Sequence, residues 1–544
     1  MSKLRVVTAV ILFSLMGVAA AADEALEGAL EAVNANAIRA HMAFLADDLL
    51  EGREAGTRGY QLATRYVASQ FELLGLKPAG DQDSWYQALD LRRSVQVEAG
   101  CSFSLSGDAG SRDLEYGVDY FMTGDANFTS TEVEAPVVFV GYGVTAPDMD
   151  YDDFAGIDVK GKIIITLRGA PPTFPHNQRA YYSREKMNIA EKNGVVGVLS
   201  ILNPEEAAKR AWDRRLQNSK IARMRLLDRE GKPLEAHPGL QAAAALSQSG
   251  MEALFAGAPQ SLEQVFEMAK SGKPNSFDMP WRATMKRQSE HRNVRSENVV
   301  AMLEGSDPQL SKEYVIYSGH LDHLGIGEAT DGDRIYNGAF DNASGISVMI
   351  EVARAFRSLP TAPKRSIIFL AVTAEEKGLL GSKYFAEFPT VPLKNIIANI
   401  NLDMFLMLHP LKDIVAFGAE HSSLHANVEA SANKLGVEMT LDPMPEEVIF
   451  VRSDQYSFVR KGVPAVFLTA GFKGAVDGGP NGPAWIRDRY HSQSDDMNQP
   501  MELQSGVDFA RMNILIGYDV ANDSARPRWN EGDFFGNLFG KKRK

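Results

Sequence analysis

Ser366-Ile-Ile-Phe-Leu-Ala-Val-Thr-Ala-Glu-Glu376 reads as an apolar strand that runs into a pair of adjacent acids. The apolar part, Ile367 to Val372, has strand length and strand composition. Similar runs lie on either side of it, at Tyr314 to Tyr317, Ile396 to Ile400, Ile414 to Phe417 and Ala465 to Leu468. Helical patterns separate them, including Ala343 to Arg357 and His425 to Leu435. This alternation predicts an α/β domain built on a mostly parallel mixed sheet flanked by helices. Ligands in such sheets gather at the carboxyl ends of the strands. His320, Glu375 and Asp403 each follow a strand run, so one shared site is expected there.

Upstream of about residue 295 the pattern differs. Residues 31–76 carry two helical stripes, Ile38, Met42, Leu45 and Leu49, then Ala63, Tyr66, Val67, Phe71 and Leu74. Between them lies the Gly-rich stretch Glu51-Gly-Arg-Glu-Ala-Gly-Thr-Arg-Gly59, either a plain helix connection or a loop that approaches the site. From about 85 to 170 short strands dominate, with Val137 to Val140 and Lys162 to Leu167 as the clearest. A helix over Ser183 to Asn193 and an apolar run from Val195 to Leu202 follow, then mixed polar helices over 205–290. This region holds no concentrated set of metal-ligating residues.

A chain of 544 residues is too long for one ordinary core. Its net charge of -13 argues against non-specific nucleic-acid binding. Cys101 is the single cysteine, which excludes an intramolecular disulfide and a thiolate zinc cluster. Lys3 and Arg5, the apolar run Val6 to Val18 and the small residues Ala20-Ala21-Ala22 read as a cleaved export signal over residues 1–22. A membrane anchor is the competing reading of that run. An exported, disulfide-free chain suits a bacterial periplasm or secretion, with no stable membrane association once the signal is removed.

Five polar motifs carry the candidate chemistry: Ser318-Gly-His-Leu-Asp322, Phe340-Asp-Asn-Ala-Ser-Gly345, Ala374-Glu-Glu-Lys-Gly378, Asn401-Leu-Asp-Met404 and Tyr490-His-Ser492. In His320-Leu-Asp322, alternate residues of an extended segment share a face, so Asp322 is placed to orient the imidazole. His323 competes with His320 as the ligand. Asp341 suits either a helix cap or a carboxylate bridging two cations. Glu375 and Glu376 would repel each other unless a cation lay between them, although acids also suit an exposed first helical turn. Asp403 at a strand end needs a partner, either metal or cation. His491 sits in polar loop sequence, where a surface histidine is the plain reading. Ser453 and Asp454 could cap the helix that follows, and Arg452 could instead bind a substrate carbonyl or carboxylate. No G-x-S-x-G elbow is present, so a serine nucleophile is not favoured.

In order, these motifs resemble the co-catalytic zinc exopeptidases of peptidase family twenty-eight, which includes bacterial leucyl aminopeptidases. The resemblance implies two zinc ions, one held by His320, Asp341 and Asp403, the other by Asp341, Glu376 and His491. It implies Glu375 as general base, Asp322 as the residue orienting His320, and a cis peptide at Asp341–Asn342. The stretch with Gly141-Tyr-Gly143 and Asp158-Val-Lys-Gly-Lys162 resembles a β-rich α+β protease-associated domain inserted into the catalytic one. The expected organisation is therefore a signal over 1–22, catalytic sequence over 23–130, the insertion over 131–290, catalytic sequence over 291–525 and a tail over 526–544. The chain departs from the family where Ser453-Asp-Gln455 replaces Ser-Asp-His and where Phe450 stands in place of an oxyanion-stabilising Tyr. The implied activity is removal of N-terminal residues from peptide substrates. A carboxypeptidase, a glutaminyl cyclase-like transferase and a non-catalytic binding protein are the alternatives.

Overall fold

A computed structural model describes residues 23–540 except 109, 331 and 476–481. The export-signal reading of residues 1–22 falls outside the described residues. The chain forms two compact units. The first comprises residues up to 89, 296–444 and 452 onward; the second comprises 90–295 with 445–451.

The first unit is built on a mixed sheet. Strand Tyr314–His320 lies parallel to Ser366–Val372 on one side and to Ile396–Asn401 on the other. Ile396–Asn401 continues in parallel to Ala465–Ala470. Antiparallel pairing extends both flanks, residues 299–303 against 367–371 and Asp413–Phe417 against Ala465–Ala470, and Glu438–Thr440 adds a further strand parallel to Asp413–Phe417. The central strands carry unbroken apolar runs because both faces of the sheet are covered. Tyr317, Ile367 and Phe369 point into a core shared with helices Arg58–Leu73, Ser344–Ser358 and Leu503–Asn522. Ile316, Ile368, Leu370 and Val372 point the other way, onto Phe385 and Phe458 from helices Leu380–Glu387 and Gln455–Val459. The strand–helix alternation read from the sequence is thus a three-layer arrangement. No helix among the described residues is long and apolar enough to cross a membrane.

The second unit is β-rich with helices, around Phe103, Phe139, Ile163, Ile165, Leu199 and Trp281. Parallel pairs join Ile163–Leu167 to residues 137–139 and to Gly197–Ile201. This unit begins at residue 90, where the sequence reading began the insertion at 131. The physical reason is strand pairing. Ser102–Gly107 is hydrogen-bonded antiparallel to residues 282–286, so it belongs with the returning strand. The mixed polar stretch over 205–290 also contains strand Ala242–Leu246 and the start of the long strand Phe277–Leu303.

Residues after 525 do not behave as a loose tail. The indole of Trp529 donates to the carbonyl of Gly462 at 2.9 Å. Phe535, in helix Phe534–Phe539, is fully buried. The apolar sequence Phe534-Phe-Gly-Asn-Leu-Phe539 explains the docking. The basic end Lys541–Lys544, read as solvated, falls outside the described residues.

Phe369 is the best single test of this core. Its ring is fully buried, stacks on Tyr317 at a centroid distance of 5.6 Å and leans on Phe71. Phe369→Ala is expected to destabilise the first unit by about 3–5 kcal/mol in chemical denaturation, from lost burial and the cavity left behind.

Candidate metal centre

His320 is the last residue of its strand, in register with Val372 of the neighbouring strand. Glu375 and Glu376 follow that neighbour, and Asp403 follows Ile396–Asn401. Parallel strands end on the same edge of the sheet, which brings these three segments together. Asp341 arrives from the turn before helix Ser344–Ser358, and its bond to Asn342 is cis. The Asn342 side chain ties that turn to the Asp403 segment. Its amide donates to Leu402 O at 2.9 Å, and its oxygen accepts from the N–H groups of Gly345 and Met404 at 3.0 and 3.1 Å. Gly345 has to lack a side chain, because a Cβ there would meet Asn342 Oδ1 at 2.2 Å.

The donors form two groups that share Asp341. His320 Nε2 lies 3.2 Å from Asp341 Oδ1 and 3.1 Å from Asp403 Oδ1. His491 Nε2 lies 3.3 Å from Asp341 Oδ2 and 3.2 Å from Glu376 Oε2. Tetrahedral ligands at about 2.0–2.1 Å from a zinc ion stand about 3.3 Å from one another. The distances from each imidazole to its two carboxylates fit ligands of one ion, and His323, grouped with Asp341 and Glu376, is placed as a rival to His491 in the second set. Tautomer chemistry agrees. His320 Nδ1 is 3.0 Å from the main-chain carbonyl of Asp322, which only accepts, so Nδ1 carries the hydrogen and Nε2 can present a lone pair.

The carboxylate of Asp322 therefore does not reach His320 itself. It accepts the N–H of Glu375 at 3.0 Å and so fixes the start of the acidic pair, while the residue's carbonyl holds the imidazole. His323, the competing histidine, faces the second group, with Nδ1 2.7 Å from Glu376 Oε1. Its Nε2 is buried and meets no hydrogen-bond partner.

Electrostatics follow from this crowding. Burial alone would discharge His320, but Asp403 and Asp341 outweigh it and hold the imidazole well above its ordinary pKa. Burial likewise opposes ionisation of Glu376, yet His491 and His323 hold it well below the usual carboxylate range. Glu375 goes the other way: burial raises it strongly, and only His320 pulls back against Glu376, Asp454 and Asp403. Two neighbouring carboxyls with opposite shifts suit two tasks, a ligand and a proton carrier.

Several contributing residues had been given no role in the site by sequence, although some stand inside its motifs. Asp495 lies inside a motif read as polar loop, yet it is fully buried and accepts the N–H groups of Phe340 and Asp341 at 2.9 and 3.0 Å. Ser453 donates to Asp403 Oδ2 at the end of a buried ladder running from Asn399 through Ser318 and Asn401. Tyr490 stacks on His491 with centroids 3.8 Å apart. A pair of donors this close in sequence, or a polar residue on every second position of a buried strand, is the signal that was available.

The clustered imidazoles and carboxylates, with no thiolate among them, are donors suited to a divalent cation. Residues 298–513 match the model of peptidase family M28. Among relatives, the chain is 27% identical over 296 residues to a probable zinc metalloprotease of Pyrenophora tritici-repentis, covering 48% of this chain and 66% of the relative. It is 26% identical over 314 residues to a glutamate carboxypeptidase 2 homolog of Caenorhabditis elegans, covering 49% and 37%. It is 29% identical over 223 residues to a probable leucine aminopeptidase 2 of Aspergillus oryzae, covering 38% and 42%. The chain thus spans less than two thirds of the length of each of these relatives. The same fold occurs in an aminopeptidase from Aneurinibacillus sp. strain AM-1, at a TM-score of 0.54 and 20% identity, over 91% of this chain and 96% of that one. Zinc is the cofactor that the family and the imidazole–carboxylate donors indicate.

Asp322 also sets a pH dependence. Burial raises its carboxyl to about 7, above the 3.8 of an exposed group. The folded state therefore holds this proton more tightly than the unfolded one, and the stabilisation is complete at low pH and lost as pH rises through about 7. In chelator-treated protein, thermal melts at pH 5 and pH 8 should show wild type losing more stability than Asp322→Asn over that interval.

Proposed function

We propose that this protein is an exported aminopeptidase that uses two zinc ions bridged by Asp341. His320 and Asp403 complete one site, and Glu376 and His491 complete the other. The observation that carries the reading is that two imidazoles each lie 3.1–3.3 Å from a different oxygen of Asp341 and from one further carboxylate. When bound, the zinc pair supplies Lewis acidity, making a water nucleophilic at neutral pH and polarising the scissile carbonyl.

The chain's own groups do the rest. Glu375, partly open to solvent and raised in pKa, takes the water proton and returns it to the leaving amine. Asp322 holds the Glu375 backbone in place for this. Glu375, an acid of the site that is not fully shielded from solvent, favours a substrate ammonium over a carboxylate. The relative named as a leucine aminopeptidase supports the same direction. The basic start at Lys3 and Arg5 and the apolar run after it support export. We read residues 90–295 as the inserted protease-associated-like domain.

Carboxypeptidase action is the second reading. Arg452 is an exposed cation directly before Ser453, which donates to Asp403, and one relative is named a glutamate carboxypeptidase 2 homolog. Dipeptides blocked at one end separate the two readings. Hydrolysis that survives C-terminal amidation and stops on N-acetylation is expected; the reverse pattern would replace the aminopeptidase reading. Glu375→Gln should retain zinc while turnover falls at least about a hundredfold, and near-normal turnover would remove Glu375 from its role.

A further inference from the structure

We propose that the dipeptide Arg53–Glu54, from the Gly-rich N-terminal loop, is a positioning element that sets the spacing of the metal-donor segments. This rests on the zinc reading above.

Arg53 is 1% exposed, among the most buried large side chains in the chain. Its guanidinium forms no ion pair with any acid among the described residues. Instead it donates to four main-chain carbonyls, those of Leu45, Leu321, Asn337 (2.6 Å) and Gly338 (3.1 Å), with Leu321 at 3.0 Å from Nε. Leu321 sits between His320 and Asp322. Asn337 and Gly338 lead into the turn that presents Asp341. The carbonyl of Arg53 in turn accepts the N–H of His323 at 3.2 Å. One planar fork thus joins the segment of the first histidine to the segment of the shared carboxylate.

Glu54 adds the third segment. Its Oε1 lies 3.0 Å from Nζ of Lys377, and the Lys377 side chain is only 3% exposed. Lys377 directly follows Glu375 and Glu376. The loop therefore grips three of the five donor-bearing segments through two adjacent residues.

The backbone is shaped for this approach. Glu51, Gly52 and Arg53 all have positive φ, at 50°, 67° and 50°. A Cβ on Gly52 would stand 2.5 Å from Gly325 O and 2.6 Å from Tyr336 O, so only glycine lets the loop come so close. Non-glycine residues in this conformation persist where the surroundings hold them there. The charge also has a purpose. Burial lowers the guanidinium to about 10, while Asp495, Asp341, Asp322 and Glu376 favour its charged form, so it is a fixed cation beside the acids at neutral pH. Lysine cannot replace it, because an ammonium lacks the planar set of donors that spans several carbonyls.

The test uses the full chain as wild type, Arg53→Met, Arg53→Lys and Glu54→Gln. Each is stripped of metal, checked for folding by circular dichroism, and titrated with zinc against a chromophoric chelator; kcat and KM are measured after reloading. Both Arg53 variants should bind zinc at least about tenfold more weakly, with the loss of activity in kcat rather than KM, and lysine should not rescue. Glu54→Gln should show a smaller loss of the same kind. A folded Arg53→Met with wild-type zinc affinity would overturn the proposal, as would full recovery in Arg53→Lys. If neither Arg53 variant folds, unchanged zinc affinity in Glu54→Gln overturns it. Wild-type protein that takes up no zinc would sink the zinc reading itself, a different outcome from unchanged variants of a zinc-binding wild type.

Discussion

Asp341 is buried among three imidazoles, those of His320, His323 and His491, which also meet Asp403 and Glu376, and the surrounding structure is organised around making that tolerable. Acids confined together without water repel one another, and an imidazole lone pair aimed at carboxylates adds to the cost. Protons relieve the strain in part, which is why His320 is pushed up and Glu376 down from their ordinary ranges. Divalent cations relieve it fully. On the reading proposed here, the site is a cage whose electrostatic debt is settled by its cofactor.

Holding such groups in place requires neutral and cationic supports. The main-chain carbonyl of Asp322 selects the His320 tautomer. Asp495 grips the N–H groups on either side of Phe340 and so aims Asp341. The hydroxyl and amide ladder through Asn399, Ser318, Asn401 and Ser453 ends on Asp403. These contacts come from rigid strand ends and a helix start, so the donors ride on the most deeply packed part of the unit.

Much of this was legible beforehand. The α/β class follows from apolar runs separated by helical periods, both local properties. The donor segments stood out because acids or histidines directly followed strands, as with Glu375 after Val372. Arg53 and Asp495 were not legible as site residues. An arginine in a Gly-rich loop and an aspartate among serines carry solvent-exposed signatures in sequence, and only long-range packing buries them. The start of the second unit was missed for a similar reason. Ser102–Gly107 looks like any short strand until its partner, some 180 positions later, claims it.

Sequence by itself determined the layered α/β architecture, the order of the polar motifs and the residue types on offer, because periodicity and strand-end placement are written locally. Tertiary structure alone decided which nitrogen meets which oxygen. It put His320 with Asp403 and His491 with Glu376, turned Asp322 toward Glu375, and drew an N-terminal arginine beneath them. Those choices depend on distances between segments far apart in the chain, and only the packed sheet and helices set them.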